Sequence, residues 1–296
     1  MQQREDVPAG SGERAAAQDA LVEALSAVVG PAAVAPDGRV ARLEQNLVPD
    51  IGPLRLAAVR RQLAAGGGGE LQSGNGLPPK LYSAFSSTAL TVNSFGRWLW
   101  EEDGLELAGV SGFNQPLAFE RRCSPGIPGK THNLDVVVQS DHCVVAVESK
   151  CTEQMAGHEA HFCEAYAPRV RELAHASWRA EYESLRNEPR RYRWLDAAQL
   201  IKHYLGLRST FSQPRIMLVY LYWEPLNGRD VECVREHRTE VGAFSSALCD
   251  DRVQFHAQSY LDLWDAWGTA HSPQWLVRYV ANLRLRYEVA LHPPEG

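Results

Sequence analysis

The chain has 296 residues, 45% of them hydrophobic and 22% charged, with a formal net charge of −6. That length supplies a core for one large domain with extensions or for two small ones, and the balance of residues is that of a soluble globular protein. The negative net charge excludes a globally basic coat, so any nucleic-acid contact needs a local basic patch.

Taken in chain order, residues 1–12 read as disordered. The stretch ERAAAQDALVEALSAVVG carries Leu21, Leu25 and Val28 at helical spacing and stops at Gly30. GPLRLAAVRRQLAAGGGG reads as a second helix, with Pro53 near its first position and Gly66 at its end. GGGGELQSGNGLPPK is loop. The expected division is therefore a helical N-terminal extension over 1–79 and the main domain over 80–296. SAFSSTALTVNSFGRWLW reads as a helix capped by Ser86 or Ser87, with Leu90, Phe95 and Leu99 on its buried side. QPLAFERRC reads as a strand, and the glycine- and proline-rich SPGIPGKTH as a loop. Residues 156–188 read as helical and charged, WLDAAQLIKHYLGL as a helix and PRIMLVYLYWEP as an apolar strand. AQSYLDLWDAWG and QWLVRYVANLRLRYEV read as amphipathic closing helices. Helices mixed with apolar strands imply an α/β fold with a mixed sheet.

Six cysteines are present, but disulfide frameworks belong mainly to small secreted chains. The polar first residues lack the apolar centre of a signal peptide, and no apolar run is long enough to span a membrane. The expectation is a cytoplasmic protein with reduced thiols. His142, Cys143, Cys151, His158, His161 and Cys163 fit no standard zinc spacing, so small buried thiols are the better account of the cysteines. No G-x-S-x-G, P-loop or dinucleotide fingerprint occurs.

The most informative stretch is NLDVVVQSDHCVVAVESK, residues 133–150. It reads as two strands covered on both faces, joined by a short turn. A turn on Asp141 and His142 sets Ser140 against Cys143, and counting back sets Asp135 against Glu148. Lys150, two residues on, shares the face of Glu148. A turn one residue longer would separate them. Two carboxylates at a strand end suit a hard divalent cation such as Mg²⁺ or Mn²⁺, and an adjacent lysine can orient a water or stabilise phosphate charge. The alternative is an ordinary surface pair of little energetic weight.

An acid on one strand followed by E-x-K on the next resembles the PD-(D/E)XK nuclease superfamily, the restriction-endonuclease-like fold. Asp135 matches its first acid and Glu148, Ser149 and Lys150 its (D/E)xK element, over roughly residues 83–223. Leu134 stands where the family name has proline. SSTALTVNSFG, then FE, the hairpin and ESKCTE are together similar to an uncharacterised branch of that superfamily. The resemblance implies a restriction-endonuclease-like core with a central mixed sheet flanked by helices. It also implies Glu120 as an upstream acid that assists the metal, and Gln199 as the glutamine often found on the following helix.

The expected activity is metal-dependent hydrolysis of DNA phosphodiesters, in restriction, other defence or repair. Asp135 and Glu148 would hold the metal, and Lys150 would position the attacking water. Arg190, Arg191 and Arg193, interleaved with Tyr192 and Trp194, suit phosphate contact and base stacking. A solvated helix end with its aromatics anchored in the core explains them equally well. Lys130 and His132, in the loop before Asp135, are further candidates for substrate contact. A homodimer is possible, since cutting both strands often takes two active sites. The alternative function is a non-cleaving nucleic-acid-binding or assembly module that keeps the nuclease fold; a third is a helical scaffold in which the hairpin is purely structural.

Overall fold

The computed structural model describes residues 11–67, 69–74, 76–101, 104–250 and 252–292. Most of the segment expected to be disordered, residues 1–10, lies outside the described residues, while Ser11 and Gly12 already belong to helix α1 (Ser11–Val29). Helix α2 (Gly52–Gly66) has Pro53 in its first turn, and α3 (Ser87–Phe95) is capped by Ser86, whose hydroxyl accepts from the Ala89 amide at 3.1 Å. Five strands form one mixed sheet: β1 (Gln115–Cys123), β2 (His132–Gln139), β3 (Cys143–Lys150), β4 (Arg215–Tyr222) and β5 (Val253–Ser259). They lie side by side in chain order, antiparallel from β1 to β3 and parallel from β3 to β5. The α/β class and the mixed sheet follow the sequence reading.

The apolar runs explain why β3 and β4 lie inside the sheet. Val136, Val138, Val145, Val147 and Leu221 pack on one face with α2, α3 and two closing helices, α8 (Tyr260–Trp267) and α9 (Gln274–Tyr287). Val137, Val144, Ala146 and Leu218 pack on the other with α4 (Tyr166–Leu173), α5 (Ala176–Asn187) and α6 (Ala197–Thr210). Each fully buried valine or leucine contributes about 1.5–3 kcal/mol, so the hairpin accommodates charge at its ends and not along its length.

Three parts of the chain differ from expectation. Residues 156–165 are irregular and helix begins only at Tyr166, because His158 and Ala160 give their amides to Arg193 and Pro189 carbonyls rather than to a helical ladder. Helix α7 (Glu232–Ala247) and strand β5 add to the predicted order. Ala257–Ser259, expected to open a helix, instead completes β5, where Ala257 and Ser259 pair with Tyr220 and Tyr222. This edge strand has few fully buried positions, so its apolar signal is weak.

The N-terminal helices are tied to the rest of the chain by polar contacts. Glu13 accepts from the amides of Glu232 at 3.0 Å and Cys233 at 3.2 Å, at the start of α7. The Arg286 guanidinium, 3% exposed, donates to Leu21 O at 3.2 Å, Asn46 Oδ1 at 3.1 Å and Ala84 O at 2.7 Å.

Helix α6 reaches the sheet at Gly206, where a Cβ would come within 2.9 Å of the Cys123 carbonyl. Gly206→Ala is expected to destabilise the fold. Overpacking costs about 1–3 kcal/mol, and the helix preference for alanine returns no more than about 1 kcal/mol. A urea midpoint at or above that of the wild type would show that α6 is free to shift.

Candidate active site

The expected turn is present: the Ser140 amide donates to Cys143 O at 2.8 Å, and the ladder runs from Gln139–Val144 to Val136–Val147. The next step of the same register sets Asp135 opposite Glu148. There the ladder gives way to a side chain, because the Ser149 amide donates to Asp135 Oδ2 at 2.7 Å.

The sheet also changes phase at this level. In a regular strand Leu134 and Val136 would share a face, yet they pack into different cores, and on β1 Phe119 and Cys123 divide in the same way. The pairs Phe119–Val136 and Arg121–Leu134 bracket the change, which places it at Glu120 and Asp135. Glu120 has φ 52°, the left-handed region, at a cost of about 1–3 kcal/mol for a non-glycine residue. The acids therefore stand where alternation fails, and backbone strain is concentrated at the site.

Glu148 and Lys150 end β3 on the side covered by α6. Lys150 Nζ donates to Glu148 Oε1 at 2.5 Å and to Gln199 Oε1 at 2.7 Å. His203 Nε2 lies 2.8 Å from Glu148 Oε2, a close contact without hydrogen-bond alignment. Burial opposes ionisation of Glu148, but Lys150 and His203 hold its carboxyl down to about 2. Burial likewise opposes the Lys150 ammonium, and Glu148, Glu153 and Asp135 outweigh it, so Lys150 stays protonated more firmly than a free lysine. Burial raises Asp135 well above the ordinary carboxylate range, and the charges of Glu148 and Glu120 raise it further. Glu120 is raised mainly by burial and secondarily by Glu70 and Glu148, against a 2.9 Å hydrogen bond from Asn133 Nδ2.

Gln199 lies on α6, where its side-chain carbonyl accepts from Lys150. His203 was missed, although it lies one turn beyond Gln199, on the same face of α6. Beside it stands His132, whose Nε2 is 2.6 Å from Tyr166 Oη; burial and the neighbouring His203 push His132 down to about 4. Lys130 lies in the loop before β2, exposed, with its charge felt at His132. The basic stretch has another setting. Arg190 pairs with Glu159 at 3.1 Å and Arg191 with Glu181 at 3.8 Å, while Arg193 lies over the Trp194 ring. Tyr192 and Trp194 are 4% and 3% exposed, so they anchor to the core and offer bases no open stacking face.

The donor set suits a hard cation: it consists of carboxylate oxygens, and charge repulsion raises both Asp135 and Glu120. Among the described residues no group of three or more His, Cys, Asp or Glu is arranged to hold a metal ion. The fit is therefore to an ion taking one or two carboxylates, with its other positions filled by water and substrate phosphate, the habit of Mg²⁺. Glu148 retains acceptor capacity beyond Lys150 and His203, since a carboxylate has about four lone-pair sites.

Two outcomes follow. An acid whose pKa is raised by folding binds its proton more tightly in the native state, so it lowers stability as pH rises through and above the ordinary carboxylate range. Asp135→Asn keeps an acceptor for the Ser149 amide and is expected to raise the melting temperature at neutral pH in chelator and to flatten its fall with pH. A lower melting temperature there would contradict the repulsion described. Gly66, at the end of α2, packs so closely that a Cβ would stand 2.5 Å from Glu120 Cβ and 2.9 Å from its carbonyl. Gly66→Ala should displace Glu120 and cost about 1–3 kcal/mol in denaturant melts; wild-type stability would show that this approach is soft.

No curated protein and no solved structure matches the chain. One family model does match, described as restriction endonuclease associating with ARP, over residues 61–288. The match takes in all five strands and every acid of the site, and the chain belongs to that restriction-endonuclease family.

Proposed function

We propose that the chain is a metal-dependent endonuclease that hydrolyses DNA phosphodiesters, in restriction, other defence or repair. The observation that carries this reading is the Glu148–Lys150 pair at the end of a buried strand, bonded to Gln199, in contact with His203, and flanked by Asp135, which accepts from the Ser149 amide between them. Asp135 and Glu148 hold Mg²⁺ or Mn²⁺ in this reading, with Glu120 adding negative charge nearby. A cation held there would supply Lewis-acid stabilisation of the phosphate and of the attacking water.

The side chains of the protein divide the remaining work. Lys150, held as an ammonium, donates to and orients the attacking water and offsets charge growing on the phosphate; its raised pKa makes it a poor proton acceptor. Gln199 fixes Lys150, and His203 stands against the second oxygen of Glu148. Lys130, Arg190, Arg191 and Arg193 supply longer-range attraction for the phosphate backbone. The described residues of the chain hold one such site, so double-strand cleavage calls for two copies.

Glu148→Gln and Lys150→Ala separate these roles. Glu148→Gln should lower Mg²⁺ affinity and plasmid nicking together while leaving DNA binding largely intact. Lys150→Ala should keep or strengthen metal binding, because a neighbouring positive charge is gone, yet reduce nicking by a factor of roughly 10² or more. Metal titration beside plasmid nicking reads both. Wild-type rates in Lys150→Ala would remove that residue from the chemistry. DNA binding without cleavage by the wild type, under either cation, would favour a non-cleaving module.

A further inference from the structure

A cavity of about 320 Å³ lies between the N-terminal segments and the end of β3. It is lined by Arg14 on α1, Arg39 and Lys80 in the connecting loops, Ser83, and the first turn of α3 at Ser86 and Ser87. Glu70 and Glu153 line it as well. These last two connect it to the active site, since Glu70 acts electrostatically on Glu120, and Glu153 acts on Lys150.

The lining has unused donors. Arg14 Nε, Arg39 Nε and Ser83 Oγ are buried atoms with no hydrogen-bond partner among the described residues. Ser83 is 5% exposed. A buried hydroxyl without a partner forfeits its hydration with nothing in return, so its place on a cavity wall points to a ligand. Arg14 and Lys80 have no ion-pair partner among the described residues. At the start of α3 the Ser86 amide bonds to Ser83 O and the Ala89 amide to the Ser86 hydroxyl, which leaves the amides of Ser87 and Thr88 at the positive end of the helix dipole. Of the two acids, Glu153 is committed, its Oε2 accepting from the amides of Cys151 at 2.7 Å and Thr152 at 3.0 Å; Glu70 has no ion-pair partner among the described residues and is outnumbered by Arg14 and Lys80. Arg39 Nη1 is tied to Asp37 at 2.7 Å, which leaves its Nε.

We propose that this cavity is a phosphoryl-binding subsite for the nucleic-acid strand, holding a phosphate beside the one that is cleaved. Arg14 and Lys80 supply its charge, and Ser83 and the start of α3 supply neutral donors. The identity of the strand rests on the nuclease reading; the phosphoryl chemistry rests on the lining alone. The subsite draws on residues before position 80, so the N-terminal extension contributes to substrate binding while the catalytic acids lie beyond it.

The test uses the full chain in chelator, so that binding is read without cleavage. The probes are a short fluorescent DNA strand, with or without a 5′-phosphate, and inorganic phosphate as competitor. Arg14→Gln combined with Lys80→Gln should weaken strand binding by about tenfold or more and abolish competition by phosphate. Ser83→Ala should weaken binding less while leaving the melting temperature unchanged or higher, because the hydroxyl has no partner to lose. It decides the matter if the double variant does not fold. Preference for the phosphorylated end assigns the cavity to a terminal phosphate, and equal binding of both ends, still sensitive to the variants, assigns it to an internal one. Unchanged affinity and unchanged phosphate competition in the folded variants overturn the proposal. Phosphate competition without cleavage by the wild type under any divalent cation leaves the subsite standing and removes the nuclease reading.

Discussion

The ion pair of Glu148 and Lys150 is the constraint around which the rest of the structure is arranged. Their side chains are 4% and 13% exposed, and taking two charges out of water costs several kcal/mol per ion before any attraction is counted. A buried pair is maintained only where further partners satisfy its remaining valences. Here Gln199 supplies one and His203 stands against the other oxygen, both from α6. Helix α6 must therefore lie close to the sheet, and Gly206 against Cys123 permits that approach. Stability alone does not require this arrangement, since well-packed apolar residues would serve as well or better.

The three acids solve a related problem in different ways. Glu148 is compensated by a neighbouring ammonium and is ionised. Asp135 and Glu120 lack such a partner and are pushed toward their protonated forms by burial and by the charges of neighbouring carboxylates. A divalent cation would reverse that balance, because metal binding releases protons from its ligands. The positive φ of Glu120 and the phase change beside Asp135 place strain at the same level of the sheet. Strain and repulsion together are what a fold retains when a site serves chemistry rather than packing.

The N-terminal helices enlarge this picture. Arg286 and Glu13 fasten them to α9 and α7, and the end of α2 packs directly on Glu120. With the loop that joins them they bring Arg14 and Arg39 alongside a site whose own charges are predominantly acidic. Under the proposed function, that complementarity suits a substrate carrying phosphates.

Much of the site is written in local pattern. Two valine-rich runs around a two-residue turn determine the hairpin, and the period-two geometry of strands then puts Lys150 on the face of Glu148; beside Asp135 that period fails, and the sheet decides the placement. Helix ends at Gly30 and Gly66 and the cap at Ser86 are similarly local, because each depends on backbone groups within a few residues. Tertiary structure alone decided the rest. The role of His203 depends on α6 crossing the sheet, and the inward turn of Tyr192 and Trp194 depends on which core lies beneath them. Strand β5 depends on β4 as a partner, since its own sequence has little apolar signal. The cavity shared by Arg14, Lys80 and Ser83 gathers residues far apart in the chain. No short window of sequence encodes such contacts: they arise only when distant segments compete to bury the same surfaces and satisfy the same polar groups.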